Sequence, residues 1–419
     1  MTKYETPNSY IEVPVHSDFT IHNLPFGIYS IDNEAIPKIG VAIGEQILDL
    51  SFCQNMDFFY DLTFDKQVFY AQNLNPMMAL GRTINQKIRQ RIQEILAEDF
   101  NGKQLVINHG LVRQSEAKMH LPIQIGDYTD FYSSLEHATN VGKMFRDLNN
   151  ALLPNWRHLP VAYHGRASSI FISGTNFHRP KGQILTSDGQ IPIFSPTKAL
   201  DFELELAVII GTNSAIGESI NISESEDYIF GFVLFNDWSA RDIQRWEYQP
   251  LGPFLGKNFF SSISPWVVSI DALEPFRVES PVQNPPVLDY LKTEGLRNFD
   301  IHLSVSIQPE NSLETIVCNN NFKEMYWNVA QQITHHTVNG CNLNTGDLLA
   351  SGTISNSLST TYGSLLEITE NGKKSIKLND DSERTFLQDN DTVIMRGFAE
   401  KNGIRIGFGE VRGKVLAVK

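Results

Sequence analysis

Residues 200–206 alternate acidic and large apolar side chains, with Asp201, Glu203 and Glu205 set against Phe202, Leu204 and Leu206. A period of two predicts a β-strand with one buried face. The apolar run Ala207-Val208-Ile209-Ile210 follows at once, so the strand is expected to enter a core. Shorter strands are predicted at 26–31, 39–43 and 45–50, punctuated by glycine and proline. Residues 83–98 carry helical spacing, with Ile84, Ile88, Ile92 and Leu96 on one stripe. Thr83 and Gln86 fit a capping box at the start of that helix. Asn371-Gly372, between 365–369 and 375–378, predicts a hairpin. Asn402-Gly403, between 393–399 and 404–408, predicts another. Residues 325–338 can form a helix packed on the sheets. The expected organisation is a small β-rich domain with an added helix over 1–120, then one large mixed-β domain over 121–419.

Composition narrows the class. The 419 residues are 41% hydrophobic and 20% charged, an ordinary globular mix with ample material for a core. Asp and Glu number 48 against 34 Lys and Arg, a net charge of −14. Such a chain is a poor partner for nucleic acid or an anionic membrane surface. The N-terminus lacks a basic patch followed by an apolar stretch, and no run approaches the ~20 apolar residues of a membrane span. Cys53, Cys318 and Cys341 are far apart and have no metal-type spacing. They are expected to be ordinary buried thiols in a reducing compartment, which makes the cytoplasm the default location.

The acidic strand is the first candidate for chemistry. Residues two apart on a strand lie about 6.5–7 Å from each other, so its carboxylates repel unless a hard divalent cation joins them. Glu203 and Glu205 are therefore candidate metal ligands; a half-exposed strand with an acidic outer face is the other reading that spacing leaves open. A second acidic cluster runs from Gly126 to Tyr132, and His137 follows it as a candidate general base, since imidazole titrates near neutral pH. With 11 histidines in the chain, a structural role for His137 stays open as well. Asp237 follows the apolar run 231–235 and should stand at a strand end, unless it merely caps a helix over 239–246. Lys257 sits among apolar residues and needs an anionic partner or a route to solvent. Residues 163–169 and 351–355 place polar side chains beside glycines, as ordinary turns also do. Nucleophile elbow, P-loop and paired Cys-x-x-Cys motifs are absent. A metal with a general base is the best-supported chemistry.

Eight segments together resemble the fumarylacetoacetase, or fumarylacetoacetate hydrolase, family. They are IGDYTDFYSS (125–134), HATNVG (137–142), YHGRASS (163–169), LDFELE (200–205), NDWSARDI (236–243), PLGPFLGK (250–257), GCNL (340–343) and LLASGTIS (348–355). The resemblance runs in register from about residue 120 to the end and extends less sharply over the first 120 residues. It implies an SH3-like barrel followed by a β-roll, usually as a homodimer. It implies hydrolysis of the carbon–carbon bond of the β-diketone 4-fumarylacetoacetate to fumarate and acetoacetate, the last step of tyrosine breakdown. Carried over by motif, Asp130, Glu203, Glu205 and Asp237 would hold a calcium or magnesium ion. His137 would activate water, oriented by Glu367. Arg241, Gln244 and Lys257 would stabilise developing negative charge. Tyr132, Arg146, Tyr163, Gln244, Tyr248 and Thr353 would position a diacid substrate. A second magnesium site would use Asp237, Ser261 and the backbone carbonyl of Lys257. Asp201 receives no role. Ser261 stands where the family usually has threonine, and Phe260 where glycine is usual. Related acylpyruvate hydrolases, isomerases or decarboxylases would share the metal site, and a non-catalytic metal-stabilised binding protein would lack the base or the charge-stabilising groups.

Overall fold

The computed structural model describes residues 8–31, 36–146, 150–186 and 188–419. It is mainly β, with mixed sheets. The first sheet is antiparallel and five-stranded, in the order Leu111–Arg113, Gln46–Asp49, Lys38–Ile43, Phe26–Ile31, Ala117–His120. The three strands expected in this region are all present. The helix Arg82–Leu96 packs Ile88, Ile92, Ile95 and Leu96 inward. It begins at Gly81, whose φ of 83° suits glycine, and no side chain caps it. The capping box expected of Thr83 and Gln86 does not form, because Thr83 already lies inside the first turn.

The central sheet runs Ala162–His164, Tyr128–Phe131, Leu348–Ala350, Leu204–Ile210, Ile229–Asp237, Ser261–Ile263, Ile170–Ile172. Its two longest strands are buried along their whole length. Leu204, Leu206, Val208 and Ile210 join one apolar cluster, shared with a second five-stranded sheet that includes His302–Gln308 and Thr392–Lys401. Ala207 and Ile209 join a different cluster, shared with the N-terminal sheet and its helix. The central sheet is thus covered on both faces, which is why its apolar run is continuous after residue 206.

Two other sequence expectations meet different outcomes. Thr392–Lys401 and Ile404–Leu416 form the hairpin expected around Asn402-Gly403. Around Asn371-Gly372 no hairpin forms with 365–369, because Leu365–Ile368 is a short helix capped by the Ser364 side chain. Cap chemistry there overrides the turn signal. The helix expected over 325–338 is shorter, Val329–Thr337, and opens with a capping box of Asn328 and Gln331. Cys53 and Cys318 are buried as expected, but Cys341 is exposed.

One fold prediction concerns Asp49. Its carboxylate accepts from the Ser51 and Phe52 amides at 2.8 and 3.0 Å and from Lys38 Nζ at 2.8 Å, capping the helix Leu50–Asn55. Burial pushes this carboxyl up, but these donors outweigh it and hold it below its ordinary value. Its stabilising contribution is therefore present above the usual carboxylate range and is lost on acidification. Asp49→Ala is expected to lower unfolding free energy by about 1–2 kcal/mol near neutrality. Denaturant melts of both proteins at pH 7 check this, and equal midpoints would contradict it.

Candidate active site

The site assembles where the central strands end. Asp130 is on Tyr128–Phe131, Glu205 on Leu204–Ile210 and Asp237 on Ile229–Asp237. Each shares strand parity with residues of the cluster under the N-terminal sheet: Tyr128, Ala207 and Ile209, Val233 and Phe235. A period of two therefore aims all of them to one side of the sheet. Register completes the assembly, with Asp130 opposite Tyr163 and Asp237 opposite Ser261. Asp130, Glu203, Glu205 and Asp237 are all buried, and one ligand atom from each lies within 4.8 Å of the others. This burial excludes the half-exposed acidic face that spacing alone allowed. The strand is also interrupted: Leu200–Asp201 pairs with Ser239–Ala240, and Glu203 makes a separate bridge to Ser364.

Two fixed cations serve this acidic set. Arg241 donates through Nε to Asp201 Oδ2 at 2.8 Å and through Nη1 to Glu203 Oε1 at 2.6 Å. Lys257 donates to Glu203 Oε2, and to Asp237 Oδ2 at 2.5 Å. Lys257 is therefore buried and paired, with no route to solvent needed. Asp237 caps no helix, since the helix Arg241–Glu247 starts after Ala240. Asp130 and Glu205 receive no cation among the described residues. Asp130 Oδ1 and Glu205 Oε1 are buried with no hydrogen-bond partner there, and Arg241 Nη2 is likewise an unspent donor. Nη2 lies 2.8 Å from Asp201 Oδ2, an ion-pair distance without hydrogen-bond geometry.

The pKa directions follow that partition. Burial, then the charge of neighbouring carboxylates, pushes Asp130 and Glu205 well above the usual range. Burial acts on Glu203 too, but Lys257, Arg241 and His137 overcome it and hold that carboxyl far below its ordinary value. Buried polar atoms without partners are rare, and hard oxygen donors that repel one another suit a hard divalent cation. The four carboxylates fit such an ion, and Asp130 and Glu205 are the two that gain most from it.

A buried imidazole–carboxylate pair completes the centre. The helix Leu135–Phe145 starts at Ser134, whose hydroxyl caps the His137 amide. His137 Nδ1 is 2.6 Å from Glu367 Oε2. Glu367 also accepts from Asn140 at 3.0 Å, Ser355 at 2.8 Å and Ser364 at 2.9 Å. Burial pushes Glu367 up, while His137 and these donors bring it below its ordinary value, so as a carboxylate it accepts a hydrogen bond from Nδ1–H. That assignment leaves the Nε2 lone pair of His137 free to take a proton.

The remaining predicted residues divide into two groups. Tyr132 meets the His137 ring edge-on at 5.2 Å. Burial raises its hydroxyl, followed by Glu367, with Arg146 acting against them and Glu203 and Arg241 acting more weakly. Tyr163 donates to Asp237 at 3.3 Å, Gln244 accepts from Arg241 at 3.3 Å, and Thr353 is buried. Ser261 keeps its hydroxyl 3.3 Å from Asp237. Arg146, an exposed C-cap, and Tyr248, 45% exposed, stand outside this packed centre. Phe260 stacks between Phe171 and Phe177, with centroids at 4.8 and 4.6 Å, and anchors the segment from Lys257 to Ser261. Sequence reasoning did not single out Asn140, Ser355 or Ser364 as partners of Glu367. Ser364 three residues before Glu367 is a readable cap signal, whereas Asn140 is visible only as the neighbour of His137 one helical turn on.

A mixed-β fold that gathers four buried carboxylates beside a carboxylate-oriented imidazole defines an acidic, cation-ready centre with its own base. The family follows from sequence comparison. Residues 127–416 match the model described as fumarylacetoacetate (FAA) hydrolase C-terminal, and residues 22–122 match fumarylacetoacetase N-terminal. The chain belongs to the fumarylacetoacetase family. It is 52% identical over 413 residues to the fumarylacetoacetase of Caenorhabditis elegans, covering 97% of this chain and 99% of that one. It is 50% identical over 412 residues to the Homo sapiens fumarylacetoacetase, covering 97% and 98%. Among solved structures it resembles the fumarylacetoacetate hydrolase of Exiguobacterium antarcticum, with a TM-score of 0.54 and 16% identity over 94% of this chain and 99% of that one. At that identity the likeness concerns the fold. Among the described residues no helix is long and apolar enough to cross a membrane.

Proposed function

We propose that this protein is a metal-dependent hydrolase that cleaves the carbon–carbon bond of 4-fumarylacetoacetate to give fumarate and acetoacetate. The observation that carries this reading is the buried His137–Glu367 pair beside the four-carboxylate cluster, in a chain about half identical to named fumarylacetoacetases over nearly its whole length. Asp130, Glu203, Glu205 and Asp237 would hold the ion, which we assign as calcium or magnesium from the all-oxygen donor set. When bound, the ion supplies Lewis-acid stabilisation of charge on the diketone oxygens. His137 takes a proton from water through Nε2, and the hydroxide adds to the carbonyl. Glu367 holds the ring in the Nδ1–H tautomer and stabilises the imidazolium. Breaking the carbon–carbon bond sends its electron pair to an enolate, which is then protonated. Arg241, whose Nη2 donor is unspent, acts with Lys257 and Gln244 to stabilise that charge as it develops. Tyr132, Tyr163 and Thr353 shape the pocket, while Arg146 and Tyr248 at its rim meet the carboxylate-bearing substrate.

The finer family features belong to the same proposal: domains at 1–120 and 121–419, an SH3-like barrel in the first, a β-roll in the second, and a cytoplasmic homodimer. The Ser261 hydroxyl beside Asp237 supports the second magnesium site, with Lys257 contributing its backbone carbonyl. The test is direct. Purified protein mixed with fumarylacetoacetate is expected to remove the enol absorbance, and a chelator to stop it. No loss of absorbance with magnesium or calcium present would overturn the reading.

A further inference from the structure

Asp201 is fully buried and belongs to none of the groups assigned above. Its carboxylate nevertheless joins the two halves of the centre. Oδ2 accepts from Arg241 Nε at 2.8 Å and from the Leu366 amide at 2.9 Å. Oδ1 accepts from the Leu365 amide at 2.7 Å and from the Phe202 amide at 2.8 Å. Leu365 and Leu366 form the first turn of the four-residue helix that carries Glu367. Their amides have no partner within such a helix, so an outside acceptor must satisfy them. A helix this short cannot hold its own orientation; its tertiary contacts do. Two more links bind it to the same segment: the Leu204 amide donates to Gly363 O at 2.9 Å, and Glu203 bridges Ser364.

We propose that Asp201 is a positioning residue: it holds Arg241 with one carboxylate and, with the same carboxylate, sets the helix that aims Glu367 at His137. Four short donors surround its two oxygens and leave no place for an amide N–H. Asp201→Asn therefore turns one accepting oxygen into a donor facing donors, while the side-chain volume stays the same. The expected displacement falls on Glu367 and on the guanidinium together. This inference rests on the proposed reaction for its kinetic arm only.

The experiment compares wild type, Asp201→Asn, Glu367→Gln and the double variant, in magnesium-loaded protein. Asp201→Asn is expected to lower kcat about 10–100-fold, as loss of an orienting partner does elsewhere, with a smaller change in KM. The double variant should be little slower than Glu367→Gln alone, because both changes remove one device. The second readout is the far-downfield proton resonance of the short His137 Nδ1–Glu367 bond, identified by its loss in His137→Ala. It should shift or vanish in Asp201→Asn. If Asp201→Asn does not fold, Arg241→Lys serves, since it removes the Nε bond to Asp201 and should move the same resonance through the helix. Additive kinetic losses with an unmoved resonance would overturn the proposal. Failure of the wild type to act on fumarylacetoacetate, with the resonance still sensitive to Asp201, would overturn the reaction and leave the positioning link standing.

Discussion

His137→Ala is expected to lower kcat by about 10²–10⁴-fold while the protein still folds and still binds a divalent cation. The reason lies in the wiring of the site. Among the described residues His137 makes no hydrogen bond or ion pair to a cluster carboxylate; its Nδ1 meets Glu367 and its amide donates to the Ser134 hydroxyl. Removing the imidazole deletes the proton acceptor and leaves Glu367 still held by Asn140, Ser355 and Ser364. A buried carboxylate with three remaining donors is tolerable, so the loss should fall on chemistry rather than on folding. Steady-state kinetics with calorimetric metal titration measure both effects. Normal turnover would remove His137 from the base role, and loss of metal binding would mean that the pair is structural.

Glu205→Gln is expected to weaken cation affinity by roughly 100-fold or more, since even outer-sphere partners of bound metals are worth about 10–100-fold. Glu205 is the informative position because it holds no cation of its own. Glu203 serves Arg241 and Lys257 together, so its removal leaves each of these buried cations with one carboxylate only, Asp201 or Asp237, and disturbs the fold as well as the metal site. At Glu205 the structure gives the opposite sign for the metal-free protein. Neutralising one member of a self-repelling set should leave its unfolding midpoint unchanged or raise it. Wild type, but not Glu205→Gln, should gain stability with added magnesium or calcium, by about 2.7 kcal/mol when the ion is at 100 times its Kd. Titration calorimetry and thermal melts check this, and equal affinities in the two proteins would remove Glu205 from the ligand set.

Much of this centre is legible along the chain. Alternation at 201–206 and the apolar run after it specify a strand that leads carboxylates into a core, because side-chain direction on a strand is a local property. The motif set identifies the family, since residues that must meet one substrate recur together. Local signals mislead where another local device competes. Asn371-Gly372 does turn the chain, with positive φ at both residues, but the preceding segment is captured as a helix by Ser364 and Asp201.

By itself, the sequence determines the alternation that makes Glu203 and Glu205 candidate ligands, the place of Asp237 after an apolar run and the candidacy of His137, and the family resemblance adds Asp130 and Glu367. Tertiary structure alone decides how the charges are divided. Arg241 and Lys257 neutralise Asp201, Glu203 and Asp237 and leave Asp130 and Glu205 without a cation. That division also separates two acidic residues that alternation placed on one strand, setting the Asp201 carboxylate on the Glu367 helix and the Glu203 carboxylate in the metal cluster. The cause is distance: pairing energies in a buried site depend on separations of a few ångströms between residues 20 to 54 positions apart, which no local pattern encodes.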